Sequence, residues 1–76
     1  MKNLLAEIAR QLVDFPEQVK VHELGSSHTS VLELSVAKQD IGKIIGAKGR
    51  NIAAIRTIMT AASAKNHNRI IVEVLE

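Results

Sequence analysis

The segment Ile41-Gly42-Lys43-Ile44-Ile45-Gly46-Ala47-Lys48-Gly49-Arg50-Asn51-Ile52 decides how the chain is read. It predicts a short apolar helix, a tight turn Gly46-Ala47-Lys48-Gly49 and a second apolar helix. Glycines at both ends of the turn reach backbone angles closed to other residues and let a ligand backbone come close. The turn also opens a helix, whose first N–H groups lack internal partners and favour an anion. Lys48 and Arg50 add positive charge there. This combination suits the phosphate backbone of a nucleic acid.

Working outward, Leu4, Ile8 and Leu12 recur at helical spacing and predict an amphipathic helix over 2–13. Pro16 stops it, because the residue before proline avoids helical angles. Val19-Lys20-Val21-His22 alternates and starts a strand. The turn-rich Gly25-Ser26-Ser27-His28-Thr29-Ser30 ends it. Leu32, Leu34 and Val36 alternate with polar residues in a half-buried strand. A short helix is expected over 38–45, with Asp40 near its positive end, and a longer one over 50–65. Asn66-His67-Asn68 closes the latter, and Ile70, Val72 and Val74 define a last strand. The order is α-β-β-α-α-β, an α+β fold. Layer rules place three helices over one face of a three-stranded sheet. The long helix carries Ile52, Ala54, Ile55, Ile58, Met59, Ala61 and Ala62 over an arc of roughly 180°, wider than the ~100° one core-facing stripe needs. Core covering and a self-association surface are equally compatible with that arc.

The run Ile44-Ile45-Gly46-Ala47-Lys48-Gly49-Arg50-Asn51-Ile52, with Ile55 beyond it, resembles the Ile-Gly-x-x-Gly-x-x-Ile signature of KH domains. KH domains bind RNA with a GXXG loop that clamps about four nucleotides. The ending Arg69-Ile70-Ile71-Val72-Glu73-Val74-Leu75-Glu76 and the stretch Leu12-Val13-Asp14-Phe15-Pro16-Glu17 are similar to small bacterial single-KH proteins of the KhpA type. Asp14-Phe15-Pro16 stands where that group has Asp-Asn-Pro, and Ala47-Lys48 where it has Lys-Gln. The resemblance implies one type II KH domain over 1–76: an N-terminal helix and strand (1–24), a variable loop (25–30) and a strand-helix-GXXG-helix-strand core (31–76). It also implies a mixed sheet, its two later strands parallel and joined by a right-handed crossover, and a non-catalytic, cytoplasmic binder of single-stranded RNA. Such a protein acts as an RNA chaperone or post-transcriptional regulator, and pairs with itself or with a second KH-containing protein.

Composition agrees. A chain of 76 residues makes one domain, and one this small buries only about 60% of its unfolded surface. At 46% hydrophobic residues it is built to pack rather than to stay disordered. There is no apolar run of ~18 residues for a membrane span. Met1-Lys2-Asn3-Leu4-Leu5-Ala6-Glu7 carries an acid at once and no signal-peptide cleavage site, so a cytosolic protein is expected. Without cysteine there are no disulfides or thiolate metal sites. From Ala37 to Arg56 stand five bases (Lys38, Lys43, Lys48, Arg50, Arg56) against one acid (Asp40), whereas the rest of the chain has five bases against seven acids. A basic centre on an acidic background is a footprint for a polyanion.

The expected binding surface has three parts. Backbone amides of Gly46, Ala47, Lys48 and Gly49 meet phosphates. Lys38, Lys43, Lys48 and Arg50 attract the strand. Bases lie on an aliphatic groove formed by the first core helix, Ile44 and Ile45 near the turn, and the Leu32–Leu34 strand, with Gly42 allowing close approach. Ile52 and Ile55 are read as core. The one aromatic, Phe15, lies outside the motif, so the ~1–3 kcal/mol per base that aromatic stacking provides is absent. Binding should be weak, salt-sensitive and of low specificity per copy.

Other chemistries fit less well. A helix-turn-helix needs polar base readers along its second helix, but Asn51, Arg56, Thr57, Thr60 and Ser63 sit among many Ala and Ile. A nucleotide-binding P-loop needs Gly-x-x-x-x-Gly-Lys-Ser/Thr, which is absent. His22, His28 and His67 are too scattered for a metal site, and Ser27-His28 lacks a third partner for nucleophilic catalysis. No cofactor, metal, membrane or small-molecule substrate is expected. A protein-interaction module with little RNA affinity and a single-stranded DNA binder remain as alternatives.

Overall fold

The computed structural model describes residues 1–26 and 28–76. Ser27 lies outside the described residues, and with it part of the Gly25–Ser30 turn and the Ser27-His28 pair. Three helices and a three-stranded mixed sheet follow in the order α1 (Lys2–Leu12), β1 (Lys20–Gly25), β2 (Thr29–Ser35), α2 (Ile41–Ile45), α3 (Arg50–Ser63) and β3 (Arg69–Val74), with short 3₁₀ turns between them. This is the expected α-β-β-α-α-β order.

Each boundary has a local cause. Helix α1 stops because Val13 is already extended, and Pro16 then begins a 3₁₀ turn, where its missing N–H costs nothing. The segment 38–45 divides into a 3₁₀ turn, Lys38–Asp40, and the five-residue α2. Helix α3 ends at Ser63, two residues before the expected end, and tightens into a 3₁₀ turn over Ala64–Asn66. His67 takes a left-handed conformation there and donates its backbone N–H to Ala64 O. It closes the chain reversal with its backbone. The first hairpin is also tighter than the sequence suggests. Gly25 pairs with Ser30, and the Ser26 N–H donates to Thr29 O at 2.8 Å. Gly25, Thr29 and Ser30 therefore belong to the strands.

Strand β2 is central. It pairs antiparallel with β1 and parallel with β3. Period-two alternation turns Val21, Leu32, Leu34 and Val72 to the helices. Leu32 and Leu34 are 0% exposed and meet Leu5, Ala9, Ile44, Ile52, Ile55 and Met59 in one core. The opposite sheet face is open and carries Leu24, Val31 and Ile71 in one cross-strand row and His22, Glu33 and Glu73 in the next. The arc of α3 divides as its width required. Ile52, Ile55, Met59 and Ser63 are buried, whereas Ala54, Ile58 and Ala61 face outward, Ile58 with 46% of its surface exposed.

Candidate nucleic-acid interface

The turn between α2 and α3 has a specific backbone geometry. Gly46 leaves α2 with φ +76° and ψ 170°, Lys48 sits at φ +56°, and Gly49 enters α3 at φ +73°. Gly46 is required twice over. Its φ is closed to most side chains, and a Cβ there would lie 2.8 Å from the backbone N of Asn51. Asn51 comes that close because its Nδ2 donates to Lys43 O at 2.8 Å, fastening the start of α3 to α2. At Gly49 only the φ matters, since the nearest atom to an added Cβ is 4.0 Å away.

The amides of the turn are not all available. Gly46 N–H donates to Gly42 O, Gly49 N–H to Gly46 O, and Arg50 N–H to Ala47 O. Among the described residues, the N–H groups of Ala47 and Lys48 have no backbone acceptor. The expectation that all four turn amides meet phosphates narrows to these two. Their side chains are exposed. Helix α3 has no acid in its first turn, and among the described residues Lys38, Lys48 and Arg50 form no ion pair. The positive end of the helix dipole and two cations beside it are left uncompensated, which favours an anion.

Lys43 departs from its expected role. Its Nζ lies 2.9 Å from Asp14 Oδ2 and 3.6 Å from Asp40 Oδ1. A hydrogen bond and attraction from Asp14, with Asp40 adding to them, hold its ammonium above the ordinary lysine range. Asp40 is fully buried and accepts hydrogen bonds from the backbone N–H groups of Asp14 and Phe15. It does not cap α2. Asp40 ties the exit of α1 to the entrance of α2, and Lys43 balances its charge. This knot joins residues 25 and 26 positions apart, so no local motif announces it.

Part of the expected groove is closed: Ile44, like Leu32 and Leu34, is 0% exposed. Leu32 and Leu34 lie on the central strand beneath the helices and cannot face a ligand. Ile45 is half-buried and packs against the core. Gly42 is exposed, and a Cβ there would meet nothing within 4 Å, so the protein itself has no need of glycine at that position. A cleft of about 380 Å³ runs between α3 and the edge strand β3, lined by Arg56, Thr60, Ser63 and Asn68–Val72. Arg56 stands over it, with Nε and Nη2 donating to Val72 O at 3.3 and 3.0 Å. A signal for this cleft was present in the sequence: Arg56, Thr60 and Ser63 recur on one side of α3.

A family model described as KhpA/KhpB, KH domain, matches residues 2–74. The chain belongs to this family. The KH match thus spans the glycine turn, the cleft and the core together, and the family is a non-catalytic one. Similar relatives include proteins called RNA-binding protein KhpA. That of Chlamydia pneumoniae is 50% identical over 76 residues, covering 100% of this chain and 97% of the relative. That of Clostridium acetobutylicum is 47% identical over 75 residues, 99% of this chain and 100% of the relative. That of Halalkalibacterium halodurans is 40% identical over 76 residues and the whole of both chains. No solved structure matches.

Proposed function

We propose that this KH domain binds single-stranded RNA without chemistry, weakly and with low specificity per copy, as an RNA chaperone or post-transcriptional regulator in the cytoplasm. The observation that carries the reading is the uncompensated positive turn: among the described residues, two amides without a backbone acceptor, Lys48 and Arg50 at the start of α3, and no acid paired with them. The relatives named as RNA-binding proteins support RNA as the polyanion. The strand would pass its phosphates over Ala47 and Lys48 and lay its bases along the α3–β3 cleft. Lys38 adds long-range attraction, and open space at Gly42 leaves room for the backbone.

The test is a fluorescence-anisotropy titration with labelled single-stranded RNA, comparing the natural chain with an Ala47→Asp/Lys48→Asp variant. Both positions are exposed, and Asp tolerates the left-handed angle at Lys48, so the variant should fold. The natural chain should bind and the variant should not. Aspartates at Gly46 and Gly49 are a poorer probe, because a side chain at Gly46 would collide with Asn51.

The exposed face of α3 supports pairing as the working state. Ala54, Ile58 and Ala61 form an apolar stripe clear of the core. A second copy, or a second KH-containing protein, would double the RNA contacts and raise affinity through effective concentration. The alternative, an interaction module with little RNA affinity, shares this stripe but leaves the cationic turn unexplained.

A further inference from the structure

Arg56 is the one cation held across the cleft by a fixed hydrogen bond among the described residues. It projects from α3, and β3 returns beside that helix, so its guanidinium reaches Val72 O. Nε and Nη2 share that single carbonyl. A guanidinium carries five N–H donors in a planar fork, so the outer edge, formed by Nη1 and the remaining hydrogen of Nη2, is left over on a side chain that lines the cleft. Among the described residues it has no acceptor. Tethering one edge fixes the plane of the other and reduces the rotamer freedom lost on binding. Arg56 lies six residues beyond Arg50, about 9 Å along the helix axis. That is within reach of a strand anchored at the turn.

A planar pair of parallel donors fits a base edge with two adjacent acceptors. Guanine offers O6 and N7, the pair most often taken by arginine. Cytosine offers O2 and N3. Adenine and uracil alternate donors with acceptors along their edges and satisfy one arm only. With no aromatic ring in the cleft, no stacking platform competes with this contact.

We propose that Arg56 reads one base of the bound strand and selects guanine or cytosine over adenine or uracil at that position. The inference rests on the RNA-binding reading above and confines selectivity to one nucleotide of an otherwise unselective site. The test uses labelled eight-nucleotide oligouridylates whose central base is U, A, C or G, titrated by anisotropy. The readout is the ratio between strands measured on the same protein. The G and C strands should bind about five- to tenfold tighter than the A and U strands, the lower range for a bidentate arginine contact. Arg56→Lys keeps the charge and can still donate to Val72 O but loses the fork; its ratios should fall within twofold. Arg56→Met keeps the aliphatic stem without any donor and should give the same collapse, with circular dichroism confirming the fold of each. A preference that survives both substitutions would overturn the proposal. So would natural-chain ratios within twofold alongside binding that Ala47→Asp/Lys48→Asp abolishes. If no strand binds even the natural chain, the RNA reading fails and the base-reading proposal falls with it.

Discussion

Three glycines near the turn do different work, and stability measurements should separate them. At Gly46 both φ and the contact with Asn51 forbid a side chain. Gly46→Ala should cost about 2–3 kcal/mol, combining left-handed strain with a forced shift of the α2–α3 junction. Gly49→Ala carries the φ cost without the collision and should lose about 1–2 kcal/mol. Gly42 is helical and open, so Gly42→Ala should gain about 0.5–1 kcal/mol while weakening RNA binding. Chemical denaturation gives all three values, and a Gly46→Ala variant as stable as the natural chain would contradict the account. Asp40 belongs at this scale too. Removing a buried carboxylate that accepts from two amides leaves those donors unsatisfied, so Asp40→Ala should cost about 3 kcal/mol. The glycines could be read from the sequence because a turn motif is local. The knot of Asp40, Lys43 and Asp14 could not, because proximity in space created it and the sequence shows only separated charges.

At the level of elements, the periodicities were sufficient for order and type. Leu4-Ile8-Leu12 marked α1, the alternation through Leu32 and Leu34 marked β2, and Ile70-Val72-Val74 marked β3. Which strand would be central was not legible. That depends on pairing partners, and period two assigns faces without assigning neighbours. Placing Leu32 and Leu34 in the binding groove failed for another reason: the apolar face of β2 is the face the helices cover, and both leucines are 0% exposed in the core. The α1–α2 corner makes a pH-dependent contribution of definite sign. The partnership with Asp14 raises the Lys43 ammonium above its ordinary value of 10.5. A group favoured in its charged form by folding stabilises fully below its unfolded value and loses that effect as pH rises through its folded value. The stability difference between the natural chain and Lys43→Met should be constant from neutral pH to about pH 10 and shrink above 10.5. A difference that grew with alkaline pH would reverse the assignment.

For the whole molecule, the basic centre of the sequence leaves Lys48 and Arg50 without an ion pair at the start of α3 among the described residues. The exposed stripe Ala54-Ile58-Ala61 predicts association beyond the monomer. Sedimentation at high micromolar concentration should show a species of twice the chain mass, and Ile58→Glu should return it to one chain with a stability change within about 0.5 kcal/mol, as expected of an exposed site. A natural chain that stays monomeric would remove the stripe from the account. The most direct test of the central claim is RNA affinity across salt concentration for the natural chain and Ala47→Asp/Lys48→Asp. Binding should be micromolar or weaker, its logarithm falling against log salt with a slope of roughly −2, about three phosphates at −0.7 each, and the folded variant should not bind. A variant that binds as well as the natural chain, or binding indifferent to salt, would contradict it.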